Sequence, residues 1–361
     1  MESLEKKFFG KYTYFFLLII FIGIAALFSR FTSPFYGYHT WVENLYSSEA
    51  IHFLENGSFT YLNHPLLFPI LLSISYKIFG VHTWSARLVP IIFGIGTILT
   101  MYLLGARLFD KKSGLICAAF CAISPYIIYF GQHVGFRILV VFFTNLTLLS
   151  YWIYLENKEK KYLYLSMISA FLGFWSDIPL LCIPIPILIM SYYKKEIKGA
   201  LSVSASVVAG LFSFLLTFRF LSQHITSFIV MYPFTHKSVG LAQYLSFHNY
   251  TALFDLALRF FPLTIVFFFF VGLGDMISRK FDKVDWFILS WIAGMGIYIF
   301  FFLHTAVMHG SHMIHLIPPF ILATVRYLRK FSDRDIVLIV IFTIVLSFPV
   351  IRALLNGNMV A

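Results

Sequence analysis

Short basic clusters cut this chain into long, uninterrupted apolar runs, and that pattern leaves few folds open. The clusters are Lys6/Lys7/Lys11, Arg107/Lys111/Lys112, Lys158/Lys160/Lys161, Lys194/Lys195/Lys198, Arg279/Lys280/Lys283 and Arg326/Arg329/Lys330/Arg334, and they hold most of the 27 Lys and Arg. Many runs between them approach the ~20 residues that one helix needs to cross a bilayer. Hydrophobic residues make up 60% of the chain and charged residues 12%, with a mean hydropathy of +0.84. A water-soluble fold has too little interior to hide that much apolar surface. An outer-membrane barrel is excluded as well, because its strands alternate apolar and polar residues. The expected fold class is an all-α polytopic membrane protein.

Basic residues are retained on the cytoplasmic side of a membrane, so the net charge of +11 reads as topology rather than as nucleic-acid affinity. If all the clusters share one side, an even number of crossings separates successive clusters. Pro65–Gly80 is short and contains Ser73, Ser75, Tyr76 and Lys77. It therefore reads as a helix lying on the outer face. About eleven spans are expected, near 13–29, 88–108, 114–130, 137–155, 162–176, 179–193, 199–221, 255–277, 285–305, 313–328 and 336–354. The N-terminus is then cytoplasmic and the C-terminus outside. Ala25-Ala26-Leu27-Phe28 is a poor cleavage site, so the run Tyr14–Ser29 reads as a first anchor and not a signal peptide. Residues 1–361 read as a single membrane domain with no separate soluble domain. Its first extracytoplasmic loop, 30–87, carries surface helices, and a second loop covers 222–254. Cys117, Cys121 and Cys182 all lie in apolar runs and lack the spacing of a metal site.

This topology sorts the polar residues. The outer face receives Glu43, Glu49, Glu55, Asp177 and Asp255, several isolated Arg, and histidines that include His39, His52, His64, His133, His236, His309 and His312. Such a face suits an anionic, amphipathic substrate. Trp41–Glu55 reads as a surface helix, with Glu43, Tyr46, Ser47, Ala50 and Leu54 on one face and Glu49 and His52 on another. Glu43 has two readings: a base that takes a proton from an acceptor hydroxyl, or an acid that solvates an amphipathic helix. Arg87 and Arg137 each open a span, where a guanidinium either snorkels to the interface or binds a lipid phosphate. Arg219, Lys237 and Arg259 border or lie in the second loop and pose the same choice. The His309-Gly310-Ser311-His312 turn has no Cys or carboxylate nearby in sequence, so it suggests sugar or head-group contacts and no metal. Asn56-Gly57-Ser58 and Asn249-Tyr250-Thr251 are sequons on loops expected outside.

Several motifs now line up in order. Gly37-Tyr38-His39-Thr40-Trp41-Val42-Glu43 and Ala50–Gly57 come first. His64-Pro65-Leu66-Leu67 and Lys77-Ile78-Phe79-Gly80-Val81-His82-Thr83-Trp84-Ser85-Ala86-Arg87-Leu88-Val89-Pro90 come next, and then Gly105-Ala106-Arg107-Leu108-Phe109 and Ser124-Pro125-Tyr126. Residues 30–145 resemble the glycosyltransferase family 39, protein O-mannosyltransferase-like branch of the GT-C superfamily, and the remainder resembles it in architecture. The resemblance implies transfer of a sugar, with inversion, from a polyprenyl- or dolichyl-phosphate carrier to a hydroxyl of a protein, lipid or glycan on the extracytoplasmic face. It implies a plasma-membrane setting in an archaeon or bacterium. Glu43 falls on the Glu of the family's first-loop Asp-Glu pair, while Val42 replaces the Asp. The family's second acid, near the start of the fourth span, is replaced by Phe136 and Arg137.

The resemblance therefore implies Glu43 as the catalytic base, with His39 and His133 as orienting groups. Arg87, Arg137, Arg219, Lys237 and Arg259 are implied as lipid-phosphate contacts, and Glu49, His52, His309 and His312 as sugar or head-group contacts. No cofactor is implied with certainty; some enzymes of the fold use a divalent metal, but nothing in the chain indicates one. Two rival readings remain. A catalytically inactive relative acting as a binding or assembly subunit would explain Val42. A lipid or small-molecule transporter would be expected to show paired halves and polar residues at mid-membrane, and the chain shows neither.

Overall fold

The structure is a computed structural model, which describes residues 2–35, 40–60, 64–221, 246–303, 306 and 310–356. It is 84% helical and has no strand among the described residues. In chain order the helices are α1 (Glu2–Leu27), α2 (Thr40–Asn56), α3 (Leu67–Phe79), α4 (Thr83–Leu108), α5 (Lys111–Ala122), α6 (Pro125–Phe130), α7 (Arg137–Asn157), α8 (Lys160–Ser176), α9 (Pro184–Lys194), α10 (Ile197–Leu221), α11 (Phe247–Phe260), α12 (Leu263–Ile277), α13 (Lys283–Phe301), α14 (Ile317–Leu328) and α15 (Asp333–Leu355). Two 3-10 helices, Ile178–Cys182 and Ser311–Leu316, lead into α9 and α14.

Five segments are long and apolar enough to cross a membrane: Thr83–Leu108, Arg137–Asn157, Ile197–Thr217, Lys283–Phe301 and Asp333–Leu355. Shorter apolar helices cover Tyr12–Leu27, Leu67–Phe79, Ile178–Lys194 and Leu263–Ile277. Large side chains such as Phe21, Phe212, Phe267, Phe342 and Phe348 are exposed on the helix surfaces. In water that much apolar area would be costly, and a bilayer removes the cost. The chain is an integral membrane protein. Several of the eleven expected spans are broken where proline interrupts the hydrogen-bond ladder. The expected span 114–130 divides into α5 and α6 at Ser124-Pro125, and the expected span 255–277 divides at Pro262. Pro179 and Pro184 reduce the start of the sixth to a 3-10 turn.

The expected surface helix is observed as α2, but its faces differ from the expected ones. Val42, Glu43, Tyr46, Glu49 and Ala50 are buried, whereas Leu54 is exposed. α3 packs on both α2 and α4, with Ser73 Oγ donating to the Ala50 carbonyl at 3.2 Å.

Charge separates to the two ends of the bundle. α4 begins near Arg87 and ends near Arg107, α7 runs from Arg137 to Asn157, and α8 runs from Lys160 toward Asp177. At the basic end, buried Asp285 receives two bonds from Arg279, at 2.6 and 2.8 Å, and one from Arg326 at 3.2 Å. Lys112 pairs with Asp333, Lys330 with Asp275, and Arg329 with Asp110. The turns after α4, α12 and α14 thus meet at one end, as expected for clusters that share a side of the membrane.

Small residues allow the helices near this end to approach closely. A Cβ on Gly114 would lie 2.6 Å from the Tyr102 carbonyl oxygen and 2.9 Å from Ala106 Cβ, so α5 rests directly on α4. Gly274 has nothing within 4 Å of a built Cβ. Gly114→Val is expected to lower stability by about 1–3 kcal/mol through overpacking. Gly274→Ala is expected to be neutral or slightly stabilising. Thermal unfolding of both variants in detergent checks the contrast.

Candidate functional site

The end of the bundle opposite the basic clusters is built around a buried cation. Arg87 has no exposed surface. Its guanidinium donates to the Arg30 carbonyl and, at 3.2 Å, to the Pro34 carbonyl, and it lies 5.5 Å from the Phe35 ring centre. It also faces Glu43 Oε1 at 3.8 Å. Glu43 in turn accepts the Val134 backbone N–H at 3.1 Å. The loop after α1, helix α2, helix α4 and the loop before α7 are thereby tied together. Gln132 adds a second tie, its side-chain oxygen accepting from Ser29 Oγ and the Arg30 N–H.

Glu43 is 1% exposed. Burial raises its pKa above the usual carboxylate range, and Arg87, the Val134 N–H and Arg30 oppose that shift without cancelling it. Its immediate neighbour Val42 is buried and lies under the Gly135 backbone. His133 is also buried, with its ring 5.5 Å from Tyr129 and 5.8 Å from Phe130.

Arg137 is the first residue of α7, and its guanidinium lies 5.4 Å from the Phe130 ring and 5.2 Å from the Phe136 ring. Its Nη1 is buried with no hydrogen-bond partner. A buried cationic donor left in that state is costly, and an anion would relieve the cost. Nearby, His64 Nδ1 meets Asp177 Oδ1 at 3.0 Å, with side-chain exposures of 31% and 4%. Burial pushes the Asp177 carboxyl up, but the charge and hydrogen bond of His64, the Ile178 N–H and His312 together hold it below the usual range. Tyr298 and His312 share a 2.6 Å hydrogen bond.

The other candidates are scattered. Glu49 accepts from the Thr60 N–H at 2.8 Å and from its hydroxyl, so it pins the turn after α2. His52 bonds Asn56 along the same helix. His39, Lys237 and His309 lie outside the described residues, as do the side chains of Arg219 and Arg259. Asp177 and His64 were sorted to this face by topology alone. Their pairing left no trace in sequence spacing, because 113 residues separate them. No group of three or more metal-ligating side chains occurs among the described residues.

The Arg87–Glu43 brace makes two outcomes testable. Arg87→Ala leaves Glu43 as an uncompensated buried acid and is expected to cost about 3–5 kcal/mol of stability, read by thermal unfolding in detergent. Glu43 binds its proton more tightly folded than unfolded, so the native state holds more protons just above the ordinary value of 4.5. Its contribution to stability is therefore present below that value and is lost as pH rises through the raised folded value. Glu43→Gln is expected to remove that part of the pH slope.

The family described as dolichyl-phosphate-mannose-protein mannosyltransferase matches residues 63–231. An uncharacterized protein of Aquifex aeolicus is 26% identical over 140 residues, which are 36% of this chain and 28% of that protein. Among solved structures, ArnT from Cupriavidus metallidurans bound to undecaprenyl phosphate superposes with a TM-score of 0.63 at 14% identity, covering 89% of this chain and 61% of that one. The Archaeoglobus fulgidus oligosaccharyltransferase in complex with zinc and sulfate gives 0.58 at 14% identity, covering 93% and 52%. The chain thus spans just over half the length of these structures and under a third of the Aquifex protein. Residues 63–231 thus resemble the dolichyl-phosphate-mannose-protein mannosyltransferase family, and the chain shares its fold with ArnT and the oligosaccharyltransferase.

Proposed function

We propose that this protein transfers a sugar from a polyprenyl-phosphate carrier to a hydroxyl acceptor on the extracytoplasmic face, with inversion at the anomeric carbon. The observation that carries this reading is Arg137. It is a guanidinium at the end of the bundle opposite the basic clusters, with a buried N–H that lacks an acceptor. A planar fork of donors suits a phosphate, and the carrier phosphate leaves the reaction as an anion. ArnT, similar in fold, was solved with undecaprenyl phosphate bound, which agrees with a carrier of that chemistry.

Glu43 serves in this reading as a brace rather than as the proton acceptor, because Arg87 and the Val134 N–H already engage its carboxylate. His133 and Arg87 are taken the same way, as buried parts of the support. Glu49 and His52 shape the surface beside α2, and His312 contributes through Tyr298. Arg219, Lys237 and Arg259 are retained as basic residues able to attract the carrier. A second reading, a binding subunit without turnover, rests on Val42 at the position of the family's acid.

The test is sugar release from radiolabelled undecaprenyl-phosphate sugars by the purified chain in lipid nanodiscs, with a membrane extract as acceptor. The wild type is expected to turn over at least one donor. Arg137→Gln is expected to weaken donor binding about 10- to 100-fold, the worth of a charged hydrogen bond. Donor binding without turnover across the whole panel would select the binding-subunit reading.

A further inference from the structure

The transfer reaction needs a group that takes the acceptor's proton, and the brace around Glu43 leaves that role to be filled. We propose that His64, oriented by Asp177, is the base that deprotonates the acceptor hydroxyl; this rests on the transferase reading. Asp177 is buried just beyond α8, and its carboxylate faces the Nδ1 of a histidine that keeps about a third of its side-chain surface open. An ionised carboxylate only accepts hydrogen bonds, so Nδ1 carries the hydrogen and the lone pair is on Nε2. A buried acid fixing the tautomer of a more exposed histidine is the arrangement that makes imidazole an effective base. Against the effect of burial, hydrogen bonds from His64 Nδ1 and the Ile178 N–H favour the ionised carboxylate.

Orientation comes from Phe136 as well. The His64 ring lies 4.2 Å from the Phe136 ring, centre to centre. Phe136 also lies beneath the Arg137 guanidinium. The proton acceptor and the phosphate contact thus both lie against Phe136, which brings them near one another, as a displacement requires when acceptor and leaving group meet at one carbon. The acceptor oxygen forms its bond to the anomeric carbon as the bond from that carbon to the carrier phosphate oxygen breaks. The electron pair stays on the polyprenyl phosphate, and the hydroxyl proton passes to Nε2. Asp177 stabilises the resulting imidazolium, which then releases the proton to water. The ionisable groups around the pair are Tyr46 from α2, Arg137 from α7, Tyr298 from α13, and His312 and His315 from the 3-10 helix before α14.

The experiment compares wild type, His64→Gln, Asp177→Asn and Asp177→Glu in nanodiscs, with a donor that the wild type turns over. kcat, donor KM and the pH dependence of kcat are measured for each. His64→Gln is expected to lower kcat about 10²- to 10⁴-fold with donor KM unchanged. The loss of wild-type activity as pH falls and the imidazole is protonated should be absent in this variant. Asp177→Asn is expected to lower kcat, Asp177→Glu to restore part of it, and the double variant His64→Gln/Asp177→Asn to be no worse than His64→Gln alone. If Asp177→Asn does not fold, His64→Gln and Asp177→Glu decide. A His64→Gln enzyme with wild-type kcat overturns the proposal, whether its donor KM is unchanged or raised; a raised KM would make His64 a phosphate contact. A wild type that binds donor and turns over none of the panel overturns the transferase reading and this proposal together. That outcome is distinct from a wild type and a His64→Gln variant that are equally active.

Discussion

A charge that has no access to water must be given its partners by the protein, and Arg87 imposes that requirement on the elements around it. Its guanidinium is held by two backbone carbonyls, one aromatic ring and one carboxylate, contributed by the loop after α1 and by α2. Removing any of these would leave a desolvated group uncompensated. The surface helix therefore has one register on the bundle, and Glu43 passes the constraint on to the loop at Val134. Phe136 and Arg137 come directly after that loop in the chain, so the position of the phosphate contact depends on this brace.

The opposite end solves the same problem with a network. Asp285, with no exposed side-chain surface, takes both arms of Arg279 and the Nε of Arg326, and Asp282 caps α13 while pairing with Arg326. These contacts gather turns from distant parts of the chain at one end. Between the two ends the contacts are mainly apolar, with a few buried hydrogen bonds such as Asn145 to Thr100 and Thr264 to Thr343, and glycines such as Gly23, Gly105 and Gly114 let helices approach closely.

Much of this was readable in the sequence, for reasons that differ by residue. α7 and α10 appear close to their expected ranges because apolar content and length alone make a helix in a bilayer, and α2 lies close to the surface helix expected at Trp41–Glu55. The broken elements at Ser124-Pro125 and Pro262 result from the missing proline N–H, although hydropathy counting passed over both. Glu43 and Arg137 were singled out by position, but the occupied state of the first and the unsatisfied Nη1 of the second depend on neighbours that hydropathy does not register. Glu49, expected on another face of α2 than Glu43, is buried too, and Thr60 folds back to bond it.

The sequence by itself determined that this chain is a bundle of membrane helices with its basic residues collected between spans. Those properties depend on the energy of moving side chains from water into hydrocarbon, which is a sum over local composition. Only the tertiary structure decided which buried charges face each other. Glu43 meets Val134 across 91 residues and His64 meets Asp177 across 113, and no local pattern encodes either pair. Such contacts arise because desolvated polar groups must find partners in whatever the packed helices bring near them, and that packing is a property of the whole bundle.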